Sequence, residues 1–189
     1  AGIEIPNLCY HESVKPYGAC RLCLVEVVRN GKSRMTTSCT YPAQKGIEVL
    51  TRTEKVLRAR RMMIELILAM CPGDTLIQNM AKEMGVTEVR FKKEEKDCIL
   101  CGLCARVCDE VVGAHAIQFA SRGDRREMIP PFAGEAMNCI ACGACVVACP
   151  VDVIGMKEDG DERTILRWKR TLKLKKCKVC GNTFAPWFQ

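Results

Sequence analysis

Apolar and polar positions change their period along the chain, and each change marks a segment. Leu22–Val28 and Ile47–Leu50 read as short β-type runs, and Arg29-Asn30-Gly31-Lys32 reads as a hairpin turn signalled by Asn-Gly. From Thr51 the pattern becomes helical. Thr51 and Glu54 have capping-box spacing, Val56, Leu57, Ile64, Ile67 and Leu68 recur on one face, and Arg58, Arg61 and Glu65 fall on another. Cys71-Pro72-Gly73 stops this helix. A second helix is predicted after Asp74, burying Leu76, Ile77, Met80 and Met84 and ending near Gly85. The methionine stripe reads as core packing. Four segments follow: 1–50 with β-type runs, 51–89 as a helical connector, 90–160, and a basic tail over 161–189.

In the third segment an exact repeat of cysteines replaces hydrophobic periodicity. Cys98, Cys101, Cys104 and Cys108 recur 41 positions later as Cys139, Cys142, Cys145 and Cys149. The second copy, Cys139 to Pro150, is the full C-x2-C-x2-C-x3-C-P run that holds [4Fe–4S] clusters in two-cluster ferredoxins. Three closely spaced thiolates wrap one face of a cubane. Gly102 and Gly143 fall where the backbone must pass close to sulfide. The fourth cysteine of each run ligates the other cluster. The expected sets are therefore Cys98, Cys101, Cys104 and Cys149 for the first cubane, and Cys108, Cys139, Cys142 and Cys145 for the second. Zinc would need only the Cys-x2-Cys pairs and would leave the remaining cysteines unexplained. Asp109 stands where the first run would have proline.

Composition changes the picture in two ways. The chain has 189 residues, only 5% of them aromatic, so its cores must be small and aliphatic, with 15 cysteines available as staples. The tight spacings and odd total argue against disulfides and for a reducing, cytoplasmic setting. No signal peptide is visible, and the longest apolar stretch, Met62 to Met70, carries Glu65 and is far short of the ~20 residues of a membrane span. The formal charge of +7 would suggest nucleic acid. Three four-thiolate clusters at about −2 each would bring it to roughly +1, so the basicity reads as counter-charge for cofactors.

An N-terminal group, Cys9-x10-Cys20-x2-Cys23-x15-Cys39, shares its central pair with the plant-type [2Fe–2S] spacing, its first gap being six residues longer. Spacing alone leaves a [2Fe–2S] cluster, zinc or free thiols open. Cys177-x2-Cys180-Gly181 is half of a zinc-ribbon or rubredoxin-like site, which needs four ligands. Zinc or iron in an incomplete site, or two free thiols, remain the readings. Cys71 is expected as a buried inert thiol, and His11 and His115 as structural histidines.

Three stretches carry a specific resemblance: Ile5-Pro6-Asn7-Leu8-Cys9-Tyr10-His11, Tyr17 to Val27 through Cys20 and Cys23, and Ser38-Cys39-Thr40-Tyr41-Pro42. Together with Cys98 to Cys104 and Phe119-Ala120-Ser121-Arg122-Gly123, they resemble the iron–sulfur subunit family of complex I, NAD-reducing hydrogenases and formate dehydrogenases, and the N-terminal region of [FeFe]-hydrogenases. The likeness runs from Ile3 to about Met156. It implies a β-grasp [2Fe–2S] ferredoxin domain and a ferredoxin-like domain with two [4Fe–4S] clusters; with the helical connector and the partial zinc-ribbon-like C-terminal segment read from the residues, the expected fold is α+β. It also implies that Cys9, Cys20, Cys23 and Cys39 hold [2Fe–2S]. Three departures stand out. The chain starts almost at the first cysteine. The site many relatives carry for a further cubane between the two domains is missing, only Cys71 standing there. No catalytic domain is read within these 189 residues.

The expected function is non-catalytic electron transfer within a multi-subunit NAD(P)-linked oxidoreductase. By resemblance its partners are a flavoprotein NAD(P)H-oxidising subunit and a hydrogenase or formate dehydrogenase catalytic subunit, with ferredoxin as a candidate second carrier in an electron-bifurcating complex. Two rivals compete. One is the cluster region of a longer [FeFe]-hydrogenase-like catalytic chain, and the other is a zinc-stabilised nucleic-acid module using the Arg163–Lys176 stretch.

Overall fold

The computed structural model describes residues 2–186. Mixed helix and sheet divide into two compact units, one formed by residues 2–10 and 16–101 and the other by 11–15 and 102–186.

In the first unit, β1 (Leu24–Arg29) pairs antiparallel with β2 (Lys32–Thr37) and with β3 (Glu48–Leu50), giving the order β2-β1-β3. The β1–β2 turn is the predicted one. Asn30 and Gly31 have φ of 50° and 70°, the paired left-handed conformation of a two-residue hairpin. Leu22, Val25 and Val27 are buried.

Helix α1 (Glu54–Met70) follows, with Val56, Ile64 and Ile67 buried as its periodicity predicts. Two details differ from the sequence reading. The cap is Thr53, whose side chain accepts from the Val56 N–H, because Thr53 Oγ1 is also fixed from behind by donating to Glu26 Oε2 at 3.0 Å. Glu65, expected on the polar face, is buried at 4% exposure. Arg90, 25 residues on, satisfies it through Nη2 at 2.6 Å, Nε at 2.9 Å and its backbone N–H at 2.8 Å. Cys71 caps α1, and Pro72 prevents its continuation. The Cys71 thiol is 1% exposed, and burial pushes its pKa up to about 12. Helix α2 (Thr75–Glu83) starts at the predicted Asp74 cap but buries Ile77 and Ala81, leaving Leu76 exposed and Met80 half-buried.

The second unit opens with α3 (Leu103–Arg106), which runs on through a π turn over Val107–Val112. The short hairpin β4 (Gln118–Ala120) and β5 (Glu127–Ile129) follows, then α4 (Ala144–Ala148). Asp109 explains why the two cysteine runs end differently. Cys149 precedes Pro150, which disfavours the helical conformation, and has ψ 114°, closing α4. No proline follows Cys108, so that helix continues to Gly113.

The basic stretch from Arg163 to Lys176 is no tail. It lies in an antiparallel sheet, order β6-β7-β8-β9, made of β6 (Met156–Asp159), β7 (Glu162–Ile165), β8 (Arg170–Lys176) and β9 (Thr183–Pro186). Ile165 and Trp168 from this sheet join the core of the second unit with Cys145, Ala116, Ile117, Met128 and Ile154. No helix among the described residues is long and apolar enough to cross a membrane.

Candidate metal centres

Short loops that must bend sharply build the centres. In three of the Cys-x2-Cys pairs, Cys20/Cys23, Cys98/Cys101 and Cys139/Cys142, one non-glycine residue takes a positive φ: Arg21 at 58°, Leu100 at 53° and Ala141 at 49°. The turn lets a backbone N–H meet the preceding sulfur. The Leu100 N–H donates to Cys98 Sγ and the Ala141 N–H to Cys139 Sγ, both at 3.4 Å. Gly102 and Gly143 occupy equivalent left-handed N-cap positions, with φ 74° and 80°. The 41-residue repeat in sequence is thus a repeat in conformation.

In the first unit the Cys20 N–H donates to Cys9 Sγ at 3.3 Å, and Cys23 Sγ meets Cys39 Sγ at 3.3 Å. Cys9, Cys20 and Cys23 are buried and Cys39 is half-buried. Burial, with the neighbouring Cys23 thiol, pushes Cys39 up to about 12, and hydrogen bonding to Cys9 raises Cys20 further. Sulfurs packed this closely ionise together only when positive charge is placed among them. Cys98 and Cys101 also lie in this unit, and Cys104 and Cys149 in the second.

In the second unit Cys108, Cys139, Cys142 and Cys145 line one small cavity, together with apolar groups including Ile117, Ile165 and Trp168. Two different runs supply this ring, Cys108 coming from the first and the other three from the second. Burial raises the pKa of Cys108 and Cys139 and pushes Cys145 up to about 11. Among the described residues, no three His, Cys, Asp or Glu side chains converge closely enough to hold a single ion. Thiols spread around a space suit a polynuclear core, which distributes its ligands over several irons, better than one zinc ion with all sulfurs at about 2.3 Å.

Sequence reasoning missed the groups that surround this ring. Trp168 Nε1 donates to Cys145 Sγ at 3.3 Å. Arg170 Nε donates to the Cys139 carbonyl at 3.1 Å and Arg163 Nη1 to the Ala141 carbonyl at 3.3 Å. The available signal was the alternation of Leu172 and Leu174 with Lys173 and Lys175, which marks a strand beneath the positive charge.

Cys177 and Cys180 sit in the β8–β9 connection, where the Cys177 N–H donates to Asn182 O at 2.8 Å and the Gly181 N–H to Cys177 O at 2.9 Å. The backbone N–H groups of Cys180 and Val179 hold the Cys177 thiol below its usual value. No third donor completes a metal site there among the described residues. His11 Nδ1 accepts from the Ser13 N–H, and His115 pairs with Asp109, so both have structural partners.

Residues 1–54 match the family described as 2Fe-2S iron-sulfur cluster binding domain, and residues 138–185 the 4Fe-4S dicluster domain. Among curated relatives, the chain is 34% identical to NADPH-Fe(3+) oxidoreductase subunit alpha of Geobacter sulfurreducens, over 81% of this chain and 21% of the relative. It is 30% identical to the NADH-ubiquinone oxidoreductase 75 kDa subunit of Reclinomonas americana, over 82% of this chain and 26% of the relative. The chain therefore spans about a fifth to a quarter of the length of these relatives. Among solved structures, a chain of the NAD+-reducing [NiFe]-hydrogenase in the H2-reduced state superposes with a TM-score of 0.67 at 30% identity, covering 79% of this chain and 74% of that one.

Proposed function

The chain belongs to the iron–sulfur subunit family of complex I-type oxidoreductases and NAD-reducing hydrogenases, and from that premise we propose that it relays single electrons through three clusters without making or breaking bonds. Cys9, Cys20, Cys23 and Cys39 hold [2Fe–2S] in this proposal. Cys98, Cys101, Cys104 and Cys149 hold one [4Fe–4S], and Cys108, Cys139, Cys142 and Cys145 the other. The clusters, when bound, supply reversible one-electron storage at low potential. The polypeptide supplies thiolates, amide donors and an apolar surround.

A single observation carries the proposal, the ring of Cys108 with Cys139, Cys142 and Cys145. A cysteine 31 positions away has no reason to join a three-cysteine loop unless both hold a common core. By the family's pattern, electrons enter from a flavoprotein that oxidises NAD(P)H and leave to a hydrogenase or formate dehydrogenase subunit, or run in reverse, in the cytoplasm. Ferredoxin is the candidate second carrier of a bifurcating version.

Metal and sulfide analysis of anaerobically prepared protein tests this reading. About ten irons and ten acid-labile sulfides per chain are expected, with EPR signals on reduction. A colourless protein holding only zinc would overturn it.

A second reading, the cluster region of a longer catalytic chain, is favoured by one fact: the matching region fills 21% of one curated relative and 26% of the other. The size of the native polypeptide on a denaturing gel decides between them.

A further inference from the structure

We propose that Trp168 sets the reduction potential of the cluster held by Cys108, Cys139, Cys142 and Cys145, acting through its indole N–H on the Cys145 sulfur. This inference rests on the cluster reading above.

The geometry gives Trp168 a task beyond filling space. The side chain is 1% exposed and Cys145 8%, so their contact is dry. A buried indole N–H needs an acceptor, and here the acceptor is a ligand sulfur at 3.3 Å. The backbone fixes this aim. The Trp168 carbonyl accepts from the Ala136 N–H at 3.2 Å, and the Arg167 N–H donates to Ile154 O at 3.0 Å. The β7–β8 turn is thereby tied to both flanks of the second cysteine run.

The sign follows from charge. Reduction adds one electron to the iron–sulfide core and no bond changes, so the sulfur ligands become more negative. A donor to a ligand sulfur therefore stabilises the reduced form more than the oxidised one and raises the potential. The surround amplifies the effect, since the cavity lining is apolar and Cys145 is buried. Arg163 and Arg170 work in the same direction from the loop carbonyls, but each is paired with a carboxylate, Glu158 at 2.6 Å and Glu135 at 2.7 Å. The indole is a side-chain donor to a ligand sulfur with no carboxylate to offset it, and it adds to the backbone donors Ala141 N–H on Cys139 Sγ and Ala116 N–H on Cys108 Sγ.

Trp168→Phe keeps most of the ring and removes the N–H. In EPR-monitored redox titration of the full chain with dithionite, one [4Fe–4S] signal should become harder to reduce. A tenfold fall in its reduction equilibrium constant corresponds to about 59 mV for a one-electron couple. Iron content and the other two signals should stay unchanged. An unmoved potential in a variant that keeps its iron overturns the proposal, as does an equal shift of all clusters.

If the variant loses the cluster, protein that keeps Trp168 still decides. The chain has two tryptophans. In Trp187→Phe protein carrying 15N-indole, pulsed EPR of the reduced state should show nitrogen coupling to one cubane. Absence of that coupling overturns the role of Trp168. Absence of acid-labile sulfide altogether overturns the cluster reading instead, so the two failures are distinguishable.

Discussion

The guanidinium of Arg60 grips the carbonyl of Leu24, donating from Nε at 3.0 Å and Nη2 at 2.6 Å. Leu24 follows Cys23 directly, so a cation from α1 is held against the N-terminal cysteine loop. Arg60 is only 6% exposed. Burial lowers its pKa, and the Cys23 thiol opposes that fall, as expected where a cation's natural company is a negatively charged centre.

Arg60→Met removes both donors from Leu24 O and the only charge on that side chain. Loss of about 1–3 kcal/mol of stability in the first unit is expected, as for a buried carbonyl stripped of its donors. The [2Fe–2S] signal should also shift to lower potential. Arg60→Lys restores the charge but not the two-pronged grip, so it should recover the potential better than the stability. Anaerobic urea unfolding and EPR titration read the two effects separately, and a variant that matched wild type in both would remove Arg60 from the site.

Cross-ligation gives a sharper prediction. Cys108→Ser should damage the cubane of the second run, although Cys108 belongs to the first. Cys149→Ser should damage the cubane of Cys98, Cys101 and Cys104. Each variant should lose up to about four irons and one of two distinguishable [4Fe–4S] signals. The assignment fails if each substitution extinguishes the signal of its own run.

The sequence disclosed what local chemistry dictates and hid what distant partners decide. Cysteine spacing was legible because a three-thiolate loop tolerates few backbone paths, and the left-handed Leu100 and Ala141 show that path repeated. The Asn30-Gly31 hairpin was legible for the same local reason. Glu65 was not, because its burial depends on Arg90, whose approach no helical period announces. Thr53 rather than Thr51 caps α1 because Glu26, on β1, holds it. Arg163 and Arg170 masked β7 and β8: their charge suggested a solvated tail, while their heads are spent on carbonyls of the second cysteine loop and on Glu158 and Glu135.

Gly143 offers a test of backbone geometry. It takes φ +80°, and an added Cβ would lie 3.1 Å from Met156 Sδ, the flexible end of an exposed side chain. Steric contact is thus relievable and the strain of the left-handed conformation is not, at about 1–2 kcal/mol. Gly143→Ala should speed loss of iron to a chelator several-fold. Gly160→Ala is the control: its φ is +60° and nothing lies within 4 Å of its Cβ, so it should cost similar stability without loosening the cluster. Equal iron loss from both variants would show that general destabilisation, not the loop, controls retention.

The Glu65–Arg90 pair should make the first unit acid-sensitive in a defined direction. Hydrogen bonds from the Arg90 side chain and backbone hold the Glu65 carboxyl below the ordinary carboxylate range, against the opposing effect of burial. A group whose folded pKa is depressed contributes stability that is fully present above its unfolded value, near 4.3, and is lost as pH falls through the lower folded value. Glu65→Gln keeps the shape but cannot ionise, so it lacks this contribution at neutral pH and has none to lose in acid. Unfolding after a stopped-flow pH jump, read before sulfide escapes, should be several-fold faster for the variant at pH 7. The gap should begin to narrow as pH falls below the unfolded value and close as the wild-type carboxyl takes up its proton at its lower folded value. A gap that persisted unchanged into acid would mean that the carboxamide fails through shape, and that the charge of Glu65 is not what ties residues 65 and 90 together.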